Sequence, residues 1–424
     1  MIELEQPRER AILVGAPPKS IGAEAAEEHL EELGRLADTA GVEIVGTVTQ
    51  RLESPSPRLY IGEGKAAELR DEAEAAGATL ALFDEELSPA QGKNLEDLTG
   101  LRIMDRAELI LDIFATRART AEAKMQVELA QLQYMLPRLT RMWAHLSRIR
   151  GGVGMRGPGE TQLETDRRMI RVRIARLKKD LAQVRAQRET QRKGRGRVMR
   201  AALVGYTNAG KSSILRGLSA DRDVFVEDRL FATLDAATRA VDLGEGYEAL
   251  LTDTVGFIRK LPHHLVASFR ATLEEAGEAD VLLHVIDASH SGWEEQKQVV
   301  DEVLTDLGLA GRPQLLVFNK VDRLTHEEEE AWRERAAVEF GRPAVFVSAV
   351  EEGGLEPLRA ALRDEVRARR AEVEIVLPMT AGAVLAEIYR EGEVLDREER
   401  DSKIVLRARV PAPALGRLRA RPGV

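Results

Sequence analysis

Short apolar runs alternate with helical patterns along the first 118 residues of the chain. RAILVGA, VEIVGTV, TLALFDE and LRIMDR have the length and composition of buried strands, and helical patterns lie near 22–40, from about 64 and near 89–99. Strands that alternate with helices form βαβ units around a parallel sheet. The pattern therefore predicts a small parallel α/β domain over residues 1–118.

Two apolar seams with heptad spacing follow this region. Helices with such seams bury them against each other in coiled coils. We expect an antiparallel coiled-coil hairpin over residues 119–197, bent at Pro137, with a capping box of Thr161 and Glu164 at the start of its second helix. The seams consist of Met125, Leu129, Leu132, Leu136 and Leu139, and of Ile170, Ile174, Leu177, Leu181 and Val184.

The stretch IRGGVGMRGPG between the seams carries five glycines and one proline. Because both residue types disfavour helix and strand, it predicts a loop at the tip of the hairpin, over about 149–160. The whole chain has a net charge of −9, yet residues 138–200 hold 19 basic against 5 acidic residues. A block this basic is typical of a surface that binds a polyanion. The alternative is a flexible basic linker.

Strand and helix patterns alternate again over residues 198–370, and residues 371–424 predict a small α+β C-terminal domain. The chain has no cysteine, which excludes disulfides and cysteine-bound metals. No apolar run approaches the roughly 20 residues that span a bilayer, and the N-terminus lacks the apolar region of a signal peptide. We expect a cytoplasmic monomer without stable membrane insertion.

The motif GYTNAGKSS follows a strand pattern and precedes a helix pattern, which is the setting of a phosphate-binding loop. Glycines at its ends let the backbone N–H groups wrap a phosphate. We expect Lys211 to reach the β- and γ-phosphates and the Ser212 hydroxyl to bind Mg²⁺. The predicted nucleotide contacts in this loop are Gly205, Tyr206, Thr207, Asn208, Ala209, Gly210, Lys211, Ser212 and Ser213.

Two later segments supply further groups for the phosphates. The strand pattern LLTDTVGF ends with Asp253, placed to hold Mg²⁺ through water, and Gly256, whose N–H can contact the γ-phosphate. FATLD supplies Phe231 and Thr233, and the Thr233 side chain is the expected second Mg²⁺ ligand when a triphosphate is bound. The predicted catalytic residues are Lys211, Thr233 and Gly256, and the predicted Mg²⁺ ligands are Ser212, Thr233 and Asp253.

FNKVD indicates guanine as the base. The Asp322 carboxylate can accept two hydrogen bonds from guanine that adenine cannot supply, and leaving it unpaired discriminates by a factor on the order of 10⁴. Asn319 and Lys320 brace the base pocket, and Ser348 and Ala349 of VSA offer a backbone N–H. The order of the motifs predicts a mostly parallel P-loop GTPase domain over residues 198–370. This order is the phosphate loop, FATLD, DTVG, NKVD and SA.

Phe257 stands after Gly256, where Ras-like enzymes have a glutamine that orients the attacking water. A phenyl ring cannot do this, and complete catalytic machinery contributes about 10³–10⁵ in rate. We therefore expect slow hydrolysis by the protein alone, with missing groups supplied from elsewhere. Asn208 stands where related potassium-activated GTPases help to hold K⁺. Stabilisation of the loop turn is the alternative role.

With these residues in hand, the chain resembles the HflX family of GTPases over nearly its full length. The resemblance rests on YIGEGK, RGPGETQLETDRR, GYTNAGKSS, FATLD and DTVGFI, whereas DAATR at 235–239 departs from the usual DPTTR. It implies a ribosome-associated GTPase that binds the large ribosomal subunit and splits stalled or stressed ribosomes, with the arm near ribosomal RNA. The implied RNA-binding residues are Arg148, Arg150, Gly151, Gly152, Arg156, Gly157, Arg167 and Arg168.

Two alternative functions stay open at this point. The protein could act in ribosome assembly or RNA modification, or it could be an RNA-binding scaffold with a vestigial nucleotide domain. The intact Lys211, Ser212, Asp253 and Asp322 argue against the scaffold. The family resemblance also suggests a weak second nucleotide (ATP) site at Gly62, Gly64 and Lys65, although a tight turn would need the same glycines.

Overall fold

The computed structural model describes residues 8–147, 158–192, 198–219, 230–261, 276–339, 341–400 and 403–419. Within these residues the strands form three sheets. The first belongs to an N-terminal unit, the second holds the predicted nucleotide site, and the third lies in the C-terminal part. A pair of long helices stands between the first two sheets in the sequence.

The N-terminal sheet is parallel, with strand order β2-β1-β3-β4. In β3, Leu80 and Leu82 contribute to one apolar core and Ala81 and Phe83 to another, so helices cover both faces of the sheet. This confirms the predicted α/β fold. Its elements are β1 (Arg10–Gly15), α1 (Ala23–Thr39), β2 (Glu43–Thr49), α2 (Glu63–Ala76), β3 (Leu80–Phe83), α3 (Pro89–Thr99), β4 (Arg102–Asp105) and α4 (Arg106–Arg117).

The two long helices, α5 (Ala121–Ser147) and α6 (Pro158–Arg192), contact each other through part of the predicted seams. Leu129, Leu177 and Leu181 are buried together there. At the edge of this contact, Arg173 donates two hydrogen bonds of 2.6 and 2.7 Å to the Glu128 carboxylate. The first helix continues through Pro137.

The predicted capping box at the start of α6 is wrong. The helix begins at Pro158, so Thr161 and Glu164 lie inside it rather than at its cap. Proline favours the first helical position because its fixed φ suits a helix and its missing N–H would have no helical partner there. The predicted loop over about 149–160 lies, up to residue 157, outside the described residues.

The central sheet has strand order β10-β9-β8-β5-β7-β6, and its described strands are parallel except at the β6–β7 pair. The predicted mostly parallel P-loop sheet is therefore confirmed. Its elements are β5 (Met199–Gly205), α7 (Lys211–Leu218), β6 (Ala237–Gly244), β7 (Tyr247–Asp253), β8 (Val281–Asp287), α8 (Trp293–Asp306), β9 (Gln314–Asn319), a 3₁₀ turn (Val321–Arg323), α9 (His326–Glu339), β10 (Ala344–Val347) and α10 (Glu356–Arg369).

The C-terminal part is an antiparallel sheet of order β11-β13-β12 with two helices, as predicted for a small α+β unit. Leu377, Ile388 and Leu406 are buried in its core. Its elements are β11 (Ala371–Pro378), α11 (Gly382–Glu391), β12 (Glu393–Arg400), β13 (Lys403–Val410) and α12 (Ala412–Arg419).

The N-terminal unit packs directly on the central sheet's unit through one continuous apolar core. The rings of Phe114 in α4 and Phe231 meet edge to face at 4.7 Å between centroids. Tyr206, Leu234 and Phe257 are buried in the same core. Among the described helices, none is both long enough and apolar enough to cross a membrane.

Candidate nucleotide-binding site

The phosphate loop connects β5 to α7, and its two motif glycines have no room for a side chain. A Cβ on Gly205 would lie 2.4 Å from the Val285 carbonyl oxygen, and a Cβ on Gly210 would lie 2.1 Å from Nδ2 of Asn319. Gly210 also has a φ of +96°, which disfavours other residues. The Asn319 amide donates a 2.9 Å hydrogen bond to the Ala209 carbonyl oxygen. The predicted base-pocket residue thus braces the phosphate loop.

Lys211 is buried at the start of α7, beneath the loop. Its Nζ donates to the carbonyl oxygens of Gly205 at 3.1 Å and Tyr206 at 2.7 Å. Burial lowers the pKa of Lys211 to about 8 from an ordinary 10.5. A nearby phosphate would restore the preference for the charged form, since an opposite charge stabilises an ammonium group.

The three predicted Mg²⁺ ligands come together next to this lysine. The Ser212 hydroxyl donates a 2.6 Å hydrogen bond to Oδ2 of Asp253 and lies 2.7 Å from Oγ1 of Thr233. Oδ1 of Asp253 is buried and has no hydrogen-bond partner among the described residues, and burial raises the pKa of Asp253. Hydroxyl and carboxylate oxygens suit Mg²⁺, and an unpaired buried carboxylate oxygen is stabilised by a cation. These residues therefore fit the ion.

Gly256 lies directly over the phosphate loop. A Cβ at this position would lie 2.7 Å from Cα of Thr207 and 3.0 Å from Nζ of Lys211. The neighbouring Phe257 is fully buried, and its backbone pairs with the loop: its N–H donates to Gly205 O at 3.1 Å, and its carbonyl accepts from the Thr207 N–H at 2.7 Å. The phenyl ring thus lies in the apolar core, away from the phosphate side of the loop.

The predicted base-pocket residues meet at the ends of β9 and β10. Ser348 donates a 2.7 Å hydrogen bond to Oδ1 of Asp322, and the Ala349 N–H donates to Oδ1 of Asn319 at 3.2 Å. Nζ of Lys320 lies 2.6 Å from Oδ2 of Asp287, a residue that the sequence motifs did not single out. Asp287 ends β8, and a carboxylate at the carboxyl end of a buried strand is the signal that could have identified it.

A buried group of charged side chains links the site to the N-terminal unit. Nη1 of Arg106 contacts Asp84 at 2.8 Å, and Arg259 contacts Asp84 at 3.0 Å and Glu32 at 3.1 Å. Tyr206 of the phosphate loop donates to Glu32 and accepts a 2.9 Å hydrogen bond from the Arg259 N–H. We call Glu32, Asp84, Arg106, Tyr206 and Arg259 the interdomain charge cluster.

Lys260 extends this cluster to the surface, with its Nζ 2.7 Å from Asp84 and 2.7 Å from Glu85. Although burial favours the neutral acid, Arg106, Arg259 and Lys260 together hold the pKa of Asp84 below its ordinary value. The segment that follows Gly256 is therefore fixed to the N-terminal unit by ionised groups, a link that no sequence motif indicated.

The remaining predicted residues fall in three places. Asn208 has a φ of +60° in the loop turn. At the suggested second nucleotide site, the Gly62 N–H donates to the Gln50 side chain at 2.9 Å and Lys65 pairs with Glu68 at 2.7 Å. Arg167 and Arg168 lie on α6, whereas Arg148, Arg150, Gly151, Gly152, Arg156 and Gly157 lie outside the described residues.

Known protein families and relatives match this chain over most of its length. Three family models match the chain: "GTP-binding GTPase N-terminal" over residues 27–115, "GTP-binding GTPase Middle Region" over 117–195 and "50S ribosome-binding GTPase" over 200–320. The chain is 44% identical to GTPase HflX of Magnetococcus marinus, over 99% of this chain and 96% of the relative. It is also 44% identical to GTPase HflX of Escherichia coli, over 91% of this chain and 90% of that relative.

A solved structure, SsGBP in complex with GDP, superposes with a TM-score of 0.49 at 25% identity, and the match covers 84% of this chain and 98% of that one.

Proposed function

The chain belongs to the HflX family of GTPases, and from this premise we propose that it hydrolyses GTP on the large ribosomal subunit and thereby splits stalled or stressed ribosomes in the cytoplasm. The observation that carries the chemical part is the meeting of Ser212, Thr233 and Asp253 beside Lys211, with the Asp322 pocket at the same sheet edge. The matching model of a 50S ribosome-binding GTPase supports the partner.

In this proposal the loop N–H groups and the Lys211 ammonium hold the β- and γ-phosphates, and the Gly256 N–H donates to the γ-phosphate. Water attacks the γ-phosphorus, the bond to the oxygen bridging the β- and γ-phosphates breaks, and GDP and inorganic phosphate leave. Ser212, Thr233 and Asp253 would hold Mg²⁺, which neutralises phosphate charge when bound. Asp322, held by the Ser348 hydroxyl, selects guanine.

Hydrolysis by the protein alone is proposed to be slow because Phe257 is buried and carries no group for water. The ribosome would then supply the missing group or order residues 231–235 and 253–257. Helices α5 and α6 would contact ribosomal RNA, with Arg167 and Arg168 of the basic helix α6 among the phosphate contacts. Binding through such contacts weakens steeply as the salt concentration rises.

The test is GTP hydrolysis by the full chain alone and with purified large subunits, small subunits, immature subunits or intact ribosomes. We expect strong stimulation by large subunits and intact ribosomes and little by small subunits. A Lys211→Ala variant, which lacks the phosphate-binding ammonium group, controls for contaminating activity. Stimulation by immature subunits alone would contradict the splitting role and favour ribosome assembly.

The same assay in potassium and sodium buffers separates the two roles of Asn208. If Asn208 holds K⁺, the rate in potassium exceeds that in sodium, and Asn208→Ala removes the difference. Equal rates in both buffers would leave Asn208 as a residue of the loop turn, which its φ of +60° already suits.

A further inference from the structure

The FATLD segment, residues 231–235, lies between the nucleotide site and the base of the helical arm formed by α5 and α6. At one end, Oγ1 of Thr233 is 2.7 Å from the Ser212 hydroxyl. Two residues later, the Asp235 carboxylate accepts hydrogen bonds from the N–H groups of Arg119 at 3.0 Å and Thr120 at 3.3 Å, and from the Thr120 hydroxyl.

Thr120 is the residue that caps α5. Its Oγ1 accepts a 3.1 Å hydrogen bond from the Ala123 N–H, in the first turn of the helix. The first N–H groups of a helix lack partners within the helix, and the helix N-terminus attracts negative charge. The Asp235 carboxylate thus completes the N-terminus of the arm from outside the arm.

Apolar packing holds the rest of the segment against the same elements. The Phe231 N–H donates to Oγ1 of Thr207 at 3.1 Å in the phosphate loop, while its ring packs edge to face on Phe114 in α4. Leu234 is buried in the core that also contains Ala123 and Val127 of α5. The segment therefore touches the phosphate loop and the arm with residues that are immediate neighbours in the sequence.

From these contacts we infer that Asp235 is a positioning residue that couples the nucleotide at Thr233 to the N-terminus of the arm. This inference rests on the proposed binding of GTP and Mg²⁺ at Ser212 and Thr233. Two residues span at most about 7 Å, so Asp235 cannot stay in place when Thr233 moves far. When a bound triphosphate and its Mg²⁺ hold Thr233 in place, Asp235 keeps its hydrogen bonds to Thr120. The first turn of α5 is then fixed.

Such coupling is reciprocal, because thermodynamic linkage requires that, if the nucleotide changes the affinity for a partner of the arm, the partner changes the affinity for the nucleotide by the same factor. A partner that binds the arm and fixes its base therefore raises the affinity for GTP relative to GDP. The large subunit is that partner under the proposed function. Loss of Asp235 removes the coupling while leaving both binding surfaces in place.

The first measurement is amide hydrogen exchange over residues 119–124 of the full chain, with GDP and with a non-hydrolysable GTP analogue. We expect slower exchange with the analogue in the wild type, no difference between nucleotides in Asp235→Ala, and part of the difference in Asp235→Asn, whose amide keeps one acceptor oxygen. Asp242→Ala is the matched control, since Asp242 accepts from the Gly244 N–H at 2.8 Å away from the arm.

The second measurement is the affinity for fluorescent GDP and GTP analogue with and without large subunits. Coupling typically changes affinity about 5–150-fold, and in Asp235→Ala we expect this factor to fall towards one. A nucleotide-dependent difference that survives in Asp235→Ala would overturn the inference, as would its absence from a wild type that binds both nucleotides. A wild type that binds neither nucleotide would overturn the proposed function as well.

Discussion

Two of the polar attachments between the nucleotide site and the N-terminal half of the chain differ in burial. The interdomain charge cluster, which includes Arg259 in the segment after Gly256, is almost closed to solvent. Asp84 is 2% exposed and Arg106 is 1% exposed. The attachment at Asp235 joins a half-buried carboxylate to the exposed residues Arg119 and Thr120. Both attachments use carboxylates, but only the first removes them from water.

This difference separates a fixed attachment from a reversible one. Removing one partner of a buried ion pair typically destabilises a protein by about 3–5 kcal/mol, because the other charge stays buried without compensation. A carboxylate or hydroxyl at a helix N-terminus contributes about 0.5–2 kcal/mol. The charge cluster is therefore expected to be the harder of the two attachments to break, which is consistent with the inference that the contact at Asp235 responds to the nucleotide.

Arg106→Met should have the largest effect on stability. It leaves Glu32 and Asp84 buried with less positive charge around them, and we expect the free energy of unfolding to fall by about 3–5 kcal/mol. Urea denaturation measures this loss. Arg70→Met, which removes an exposed pair with Asp71, should change it by less than about 1 kcal/mol. Equal losses of unfolding free energy in the two variants would show that burial does not make the Arg106 ion pairs more important for stability than the exposed Arg70 pair.

Tyr206→Phe should have the next largest effect. It removes the hydroxyl that donates to Glu32 and accepts from the Arg259 N–H. Because hydrogen bonds to charged groups contribute about 1.5–3 kcal/mol, we expect a loss in that range, together with weaker GTP binding from a loosened phosphate loop. Thermal unfolding and nucleotide titration measure both. Tyr389→Phe, on the exposed surface of α11, should leave both unchanged.

Acid should act on His284 in the central sheet at a higher pH than it acts on Asp84 of the charge cluster. Burial lowers the pKa of His284 in β8 to about 3, below its ordinary 6.5. Between these values the unfolded chain binds the proton first, so stability is lost as the pH falls below 6.5, by at most about 1.4 kcal/mol per pH unit. The lowered pKa of Asp84 acts only below its ordinary 3.8.

His284→Leu should flatten the pH dependence between pH 6.5 and 4, measured as the free energy of unfolding at each pH. Neither ring nitrogen of His284 has a hydrogen-bond partner among the described residues, so an apolar side chain removes no such bond. An unchanged slope in this variant would assign the acid sensitivity to other groups.

Asp235→Ala should have the smallest effect on stability, about 1 kcal/mol or less, because solvent can replace the carboxylate at an exposed helix end. Urea denaturation measures it beside Arg106→Met. A loss as large as that of Arg106→Met would show that the contact at Asp235 is structural, which would remove the basis for its reversible role.

The motifs could predict which residues lie together at the candidate nucleotide site because their spacing encodes local geometry. Gly205, Gly210 and Lys211 sit within one loop and the start of one helix, and their roles follow from that loop alone. Strands and helices could be predicted in the same way, since the apolar period depends on neighbouring residues. The start of α6 could not, because both Pro158 and Thr161 carry start signals and only one can be used.

The interdomain charge cluster could not be predicted from the sequence. Glu32 lies on α1, Asp84 directly follows β3 and Arg106 begins α4. The position of Asp84 after a buried strand marks it as a candidate site residue, but nothing in these three segments indicates that their charges pair. Their pairing depends on how the two units dock, and the local spacing of apolar and polar residues does not encode that docking. The sequence indicated Asp235 only as the last residue of the FATLD motif. Its contact with Thr120, 115 positions away in the sequence, could not be predicted from that motif.

The burial of Phe257 limits what a glutamine at this position could do. A glutamine at this position would place its amide in the apolar core shared by the two units, because the backbone on both sides is paired with the phosphate loop. An amide buried without partners destabilises a protein by about 1–3 kcal/mol, and here it would still not face the phosphates. A glutamine introduced at Phe257 would therefore not reach the attacking water unless the packing between the two units also changed.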